Sequence, residues 1–203
     1  MEIEAKFNVP NRDVFRRLQT VDRLAGLELS DGHIRRVRDT YLDTPARALF
    51  SAGYACRLRR QGEDILITLK GLGGSQNGIH RREELEALCT PVFTPAQWPA
   101  SPTRDRILEL IGSSPLAPLF ELQQDRWIRY LLRGEQRIAE LSLDDVRVVA
   151  AGQEQTYLEL EVELRPETDE TVLGSIAACL RGEWNLPPEP RSKFERAMSL
   201  MVQ

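Results

Sequence analysis

Charged and apolar side chains alternate from the first residues of the chain. Successive side chains of an extended segment point to opposite faces. Residues 2–8, read as a strand, therefore place Glu2, Glu4 and Lys6 on one face and Ile3, Ala5 and Phe7 on the other. Patterned segments of this kind predict further strands at residues 37–42, 54–60, 65–70, 79–88, 119–132, 136–149 and 156–165. Helical spacing predicts a helix over 13–24 through Val14, Phe15, Leu18 and Val21, and another over 169–181 through Val172, Leu173, Ile176 and Leu180. Shorter helical pieces are expected at 46–50, 103–111 and 192–201. Turn residues separate these elements. Asp43-Thr44-Pro45 closes a strand, and Gln61-Gly62-Glu63-Asp64 joins two strands as a hairpin. Residues 71–78 read as a flexible Gly-rich loop, 90–102 as a Pro-rich surface excursion, and 113–118 as a turn. Pro187-Pro188-Glu189-Pro190 stops the chain before the last helix. No repeat or long linker divides the sequence, so one domain is expected over 1–203.

Each strand singly would fit a sheet with one wet face. Together they share a more specific composition. Arg57 and Arg59 oppose Cys56 and Leu58, and Thr68 and Lys70 oppose Ile65, Ile67 and Leu69. Arg82, Glu84 and Glu86 share a face, as do Gln124 and Arg126. Glu140, Ser142 and Asp144 oppose Ala139, Leu141 and Leu143. Glu159, Glu161 and Glu163 oppose Leu158, Leu160, Val162 and Leu164. If the apolar faces pack outward against helices, the charged faces look at one another across a tunnel.

Composition narrows the classes. With 203 residues, 41% hydrophobic and 29% charged, the chain can bury a substantial core as an ordinary globular protein. Its net charge of −4 gives no indication of nucleic acid or anionic membrane as a partner. Lysine occurs only at Lys6, Lys70 and Lys193, each inside a patterned stretch. Cys56, Cys89 and Cys179 are odd in number and widely spaced, which argues against a disulfide scaffold or zinc site. No basic-then-apolar leader and no run of membrane length is present, so a cytoplasmic location is expected. His33 and His80 are isolated and read as structural or exposed.

The charged faces suggest metal-assisted chemistry on a polyphosphate. Carboxylates at i and i+2 gather oxygens suited to a hard divalent cation, Mg²⁺ or Mn²⁺. Arginines at the same spacing offer planar forks for phosphate oxygens. A P-loop is absent, because 71–78 lacks the GK[ST] ending and no helix follows it. No Ser/His/Asp or Cys/His spacing points to covalent catalysis.

Glu2-Ile3-Glu4-Ala5-Lys6 resembles the ExExK signature of the CYTH superfamily, the triphosphate tunnel metalloenzymes. Later stretches resemble that family's further motifs, in its order: Tyr41-Leu42-Asp43-Thr44-Pro45, Cys56-Arg57-Leu58-Arg59, Ile67-Thr68-Leu69-Lys70, Arg82-Glu83-Glu84-Leu85-Glu86, Glu140-Leu141-Ser142-Leu143-Asp144, Glu159-Leu160-Glu161 and Ser192-Lys193-Phe194-Glu195-Arg196. The resemblance implies an α+β fold: an eight-stranded antiparallel β-barrel, an open tunnel with charged interior and helices packed outside. It implies metal ligands at Glu2, Glu4, Asp144, Glu159 and Glu161. It also implies phosphate-holding cations at Lys6, Arg57, Arg59, Lys70, Arg82, Arg126 and Lys193. Glu84, Glu86 and Glu140 match tunnel-lining positions without individual roles, and Glu163 continues the pattern toward the rim.

The activity so implied is hydrolysis of tripolyphosphate to pyrophosphate and phosphate by a metal-activated water, with Glu2, Glu4, Lys6, Glu159 and Glu161 at the catalytic centre. Two alternatives are carried. One is an organic-triphosphate enzyme, a class IV adenylate cyclase or thiamine triphosphatase; the other is a module that binds polyphosphate without cleaving it. An organic substrate needs a pocket for its base or thiazolium ring, for which Trp98, Trp127 and Trp184 qualify only by type. Longer members of the family imply a C-terminal CHAD domain, and either a monomer or a homodimer is compatible. Ser192 as N-cap would put Lys193 in the first turn of the last helix, against the helix dipole. A phosphate beside it would compensate, so the C-terminal segment is expected to close over the barrel and aim Lys193 at bound phosphate.

Overall fold

The computed structural model describes residues 1–76 and 78–201; Asn77 of the expected 71–78 loop lies outside them. In chain order the elements are β1 (Glu2–Val9), α1 (Arg12–Thr20), β2 (Arg23–Leu24), β3 (Leu27–Leu29), β4 (His33–Asp43), α2 (Ala48–Ser51), β5 (Tyr54–Gln61), β6 (Asp64–Gly71) and β7 (Ser75–Gln76). There follow β8 (Ile79–Arg82), β9 (Glu84–Leu88), a 3₁₀ turn (Pro95–Gln97), α3 (Pro102–Ile111), β10 (Ala117–Arg133), β11 (Gln136–Ala150), β12 (Gln153–Leu164), α4 (Glu170–Gly182) and α5 (Lys193–Met201).

Hydrogen bonding orders the main path β7-β8-β1-β12-β11-β10-β4-β5-β6-β9, with β3 on β10 and β2 on β3. β8, which carries only the two-residue ribbon β7 outside it, and β9, at the other end of the path, are consecutive in the chain, separated only by Glu83, whose carbonyl accepts from the Gly71 amide at 2.9 Å. One bent stretch thus pairs with β1 through its first half and with β6 through its second, and the sheet curls round on itself. The described strands number twelve rather than eight. The excess has a physical origin. Residues 79–88 break at Glu83, where the strand changes partner, and β2, β3 and β7 are short ribbons. With these set aside and β8 taken with β9, eight staves remain.

Directly paired residues share a face, and the register carries the inward set around the sheet. Glu4 pairs with Glu163 and Glu163 with Glu140; Glu159 pairs with Asp144 and Asp144 with Arg126. The opposite faces are covered by helices. Leu141, Leu143, Leu160 and Val162 pack with Phe15 and Leu18 of α1 and Leu173, Ile176 and Leu180 of α4. Cys56, Leu58, Ile67 and Leu69 pack with Leu49 of α2, Ile107 and Ile111 of α3, and Trp98. A third cluster has inward parity: Tyr41, Phe120, Leu122, Val146 and Val148 gather around Phe194 of α5. The Phe194 ring lies 5.6 Å from that of Tyr41 and 5.8 Å from that of Phe120. The interior is therefore apolar beside α5 and charged beyond it.

Element boundaries moved where tertiary contacts overrode local spacing. The helix expected over 13–24 ends at Thr20, because Val21 is extended and Arg23–Leu24 turns back through Ala25 and Gly26, both at positive φ, to pair with β3. The buried Arg129 guanidinium fixes this course by donating to the carbonyls of Gln19 and Val21. The strand expected at 37–42 begins at His33, held by pairing with β10 down to Ile128.

The helical piece expected at 46–50 is Ala48–Ser51, organised by Asp43. This buried carboxylate accepts from the amides of Thr44 (2.7 Å), Leu49 (2.9 Å) and Phe50 (3.0 Å). Asp43→Ala strands these donors. A loss of about 3 kcal/mol is expected, within the range for hydrogen bonds to a charged group, and urea denaturation would measure it. An unchanged midpoint would show that water replaces the carboxylate without cost.

Candidate active site

The inward side chains enclose a cavity of about 290 Å³. Its wall carries Glu2, Glu4, Lys6, Arg57, Arg59, Lys70, Arg82, Arg126, Glu161 and Lys193 from the expected site. Glu84, Glu86, Glu140 and Glu163 line it as well. Trp98, Trp127 and Trp184 do not: Trp98 donates to the Val92 carbonyl at 2.7 Å, Trp127 covers Gly32, and Trp184 lies under Arg17. His80 is buried against the Glu189 carbonyl at 3.2 Å, a structural position.

The carboxylates fall into two groups. Asp144, Glu159 and Glu161 are fully or almost fully buried, and one oxygen from each lies within 4.8 Å of the others. The Lys193 ammonium sits among them, 2.9 Å from Asp144 Oδ2 and 2.6 Å from both Glu159 Oε1 and Glu161 Oε1. Arg126 grips Asp144 with Nε (2.8 Å) and Nη2 (2.7 Å), and Nη2 also reaches Glu161 Oε2 at 2.6 Å. Lys6 donates to Glu161 and lies 3.9 Å from Glu159. Glu2 and Glu4 do not join this group. Glu2 pairs with Lys70; Glu4 pairs with Arg82 and lies 3.4 Å from Lys70. Lys6, 3.6 Å from Glu4, links the two groups.

Burial opposes every one of these charges, and local partners decide the outcome. At Glu161 the cost of burial is outweighed by Lys193, Lys6 and Arg126, which hold its pKa well below the ordinary carboxylate range. At Glu4 burial is likewise outweighed by Lys6, Lys70 and Arg82, and the pKa is lowered. At Glu159 burial prevails over Lys193 and Lys6, and the pKa is raised. Burial, then neighbouring Glu4, pushes Glu2 up to about 7; burial, then Glu2 and Glu4, does the same for Glu163. Lys193 is driven the other way: Asp144, Glu159 and Glu161 overcome burial and raise its pKa well above the usual lysine value.

The guanidiniums of β5 are held differently. Arg59 makes a two-pronged pair with the fully buried Asp39, both contacts at 2.7 Å. Arg57 spans Asp39 (3.8 Å) and Glu84 (3.4 Å). Asp39 was not singled out in the sequence, because its neighbours in parity, Val37 and Tyr41, are not charged. Arg35, also missed, lines the cavity from β4. It lies before residue 37, where the pattern began the strand.

The last helix is placed by its own start signal. Ser192 Oγ accepts from the Glu195 amide at 3.1 Å and Glu195 Oε2 accepts from the Ser192 amide at 2.7 Å, a capping box. The preceding segment extends the edge of β1: Asn8 N donates to Pro187 O and Glu189 N to Lys6 O, each at 2.9 Å. Lys193 thus enters the cavity from the first turn of α5, and three carboxylates compensate its unfavourable place against the helix dipole.

Three buried carboxylates converging on a cation form an all-oxygen donor set suited to a hard divalent ion. Glu159 Oε2, a buried acceptor that makes no hydrogen bond among the described residues and has Arg196 Nη1 3.7 Å away, leaves capacity for such an ion.

The comparisons with known proteins agree with this architecture. The CYTH domain family model matches residues 1–197. An inorganic triphosphatase of Haemophilus influenzae is 27% identical over 132 residues, covering 63% of this chain and 35% of that protein. The matched stretch is thus about a third of that relative's length. HpAC1 from Hippeastrum, an adenylyl cyclase candidate described as having a dominant triphosphatase activity, superposes with a TM-score of 0.71 at 22% identity, covering 100% of this chain and 98% of the other. An adenylate cyclase candidate from Bacillus halodurans superposes at 0.66 and 22%, covering 97% and 96%. These two likenesses establish the shared curled antiparallel sheet. With the family model spanning all but the last residues, the chain belongs to the CYTH domain family.

Proposed function

We propose that this protein is a metal-dependent triphosphatase that hydrolyses inorganic tripolyphosphate to pyrophosphate and phosphate. The observation that carries the reading is the convergence of Asp144, Glu159 and Glu161, with Glu161 in the same cavity wall as Lys6, Arg126 and Lys193 and the other two carboxylates buried directly behind it. Buried carboxylates beside a row of cations suit a substrate that arrives as a polyanion with a divalent ion. The name of the Haemophilus influenzae relative supports the choice of inorganic triphosphate. So does the lining: Tyr41 and Phe194 are its aromatic residues among the described ones, and both are packed against Phe120 rather than free to stack on a base.

In this reading Lys6, Arg57, Lys70, Arg82, Arg126 and Lys193 exchange carboxylate partners for phosphate oxygens when substrate enters. Arg59 keeps its pair with Asp39 and presents its remaining Nη1 edge. Asp144, Glu159 and Glu161, freed from part of their ion pairing, hold Mg²⁺ or Mn²⁺; Glu2 and Glu4 form a second carboxylate pair open to a divalent ion. The bound ion supplies Lewis-acid stabilisation of developing phosphate charge and a water of lowered pKa. The chain's own contribution is position and fixed charge, which suit phosphoryl transfer because that chemistry needs little else.

The test is a panel of tripolyphosphate, ATP and thiamine triphosphate, with Mg²⁺, Mn²⁺ or EDTA, assayed for phosphate and pyrophosphate. Tripolyphosphate cleaved fastest, and only with metal, is the expected result. Preferred turnover of an organic triphosphate, or binding without turnover, would overturn the proposal.

The basic strand gives a separate check. Arg57→Ala and Arg59→Ala should each weaken binding of a non-hydrolysable triphosphate by roughly 1.5–3 kcal/mol, the range for charge-assisted hydrogen bonds. The loss should be measurable by calorimetry. Unchanged affinity in both would remove β5 from the binding wall.

A further inference from the structure

Arg35 differs from the other cations of the cavity. Lys6, Arg57, Arg59, Lys70, Arg82, Arg126 and Lys193 each have at least one carboxylate within 4.0 Å. Arg35 lines the same cavity from β4 and makes no ion pair or side-chain hydrogen bond among the described residues. It also lies directly across the β4–β10 pair from Arg126. Like charges directly opposed on neighbouring strands repel. Arg126 is neutralised by Asp144 and Glu161, whereas no carboxylate of the described residues pairs with Arg35.

The arrangement has a direction. Lys193 and Arg126 meet at Asp144 Oδ2, at 2.9 and 2.7 Å. Asp144 is on β11 and Arg126 on the adjacent β10; Arg35 follows on β4, the strand on the other side of β10. An unpaired guanidinium facing a cavity and crowded by another cation is relieved by an anion. It can take one without giving up an existing partner.

We propose that Arg35 is a substrate-binding residue that receives the phosphoryl group of the bound chain farthest from Lys193, and so favours tripolyphosphate over pyrophosphate. The proposal rests on the triphosphatase reading and deepens it. Occupancy by a terminal phosphoryl group gives Arg35 two charge-assisted bonds at an oxygen-rich end. In this placement a two-phosphate chain anchored near Lys193 would leave Arg35 without a phosphoryl partner.

The experiment compares wild type with Arg35→Gln and Arg35→Lys. It measures the melting temperature without ligand and the affinities for a non-hydrolysable tripolyphosphate analogue, so that turnover does not intervene, and for pyrophosphate, by calorimetry with saturating Mg²⁺. For Arg35→Gln the expected result is an unchanged or higher melting temperature, about tenfold weaker tripolyphosphate binding, and little change for pyrophosphate. Arg35→Lys should recover part of the loss. A lower melting temperature with unaltered tripolyphosphate affinity would make Arg35 structural and overturn the proposal. Equal losses for both anions would overturn its outward placement. A wild type that binds neither anion would overturn both this proposal and the triphosphatase reading, whereas a variant as tight as a binding wild type overturns this one alone.

Discussion

Glu161→Gln is expected to lower tripolyphosphate turnover by roughly three orders of magnitude, since in the proposed triphosphatase it removes a charge that would hold the metal. Glu161 is where the site's contacts concentrate: Lys6, Lys193 and Arg126 all reach its carboxylate. Those three cations hold it ionised against burial. Its removal should therefore also destabilise the empty protein, by about 2–3 kcal/mol. That lies below the 3–5 kcal/mol of a broken buried pair, because the amide oxygen still accepts one hydrogen bond. Glu159→Gln separates the two effects. Burial already raises the Glu159 pKa, so the neutral amide is a smaller electrostatic change there. Turnover should fall comparably while stability falls less. Steady-state rates with Mn²⁺, manganese titration by calorimetry and thermal melts of both variants would test the pair. Hydrolysis that continues in EDTA, or a Glu161→Gln enzyme at the wild-type rate, would end the metal-centred account.

The inward wall of the barrel was legible because side-chain parity survives most irregularities of a strand. Glu159, Glu161 and Glu163 face inward in β12, and Glu140, Ser142 and Asp144 follow in β11 with the register intact. Even the break at Glu83 leaves Arg82, Glu84 and Glu86 on the cavity wall. What parity could not reveal is which strands are neighbours. The change of partner at Glu83, from β1 to β6, depends on residues far away in sequence. The separation of Glu2 and Glu4 from the Asp144 group follows from the same limitation. All five are acidic residues on inward faces, but pairing around the barrel sends two to Lys70 and Arg82 and three to Lys193. Asp39 and Arg35 were hidden for different reasons. The first stands between uncharged neighbours, and the second precedes the point where alternation became visible. The fold of 21–29 was out of reach locally, because long-range bonds from Arg129 cut short an otherwise helical spacing.

Lys193→Met should be among the most destabilising single changes in the empty protein, and the one most strongly rescued by metal. The ammonium is 5% exposed and is the shared partner of Asp144, Glu159 and Glu161. Methionine fills much of the same volume but leaves three buried carboxylates facing one another, with Arg126, Lys6 and the more distant Arg196 (3.7 Å from Glu159) as counter-charges among the described residues. Breaking a buried pair in this way costs about 3–5 kcal/mol, which for a chain of this size lowers the melting temperature by roughly 6–20 °C. A divalent ion placed among the three carboxylates would restore the missing charge. Saturating Mn²⁺ should therefore raise the melting temperature of Lys193→Met more than that of wild type, where the ammonium competes for the same oxygens. Turnover of tripolyphosphate should remain low even when stability is restored, since in the proposed reading Lys193 is the cation that α5 supplies to the phosphate. Metal-dependent melts and kcat/KM measured on the same preparations read the two effects separately. A variant with wild-type stability, no extra stabilisation by Mn²⁺ and wild-type kcat/KM would mean that α5 only packs against the barrel and that Lys193 has no part in the site.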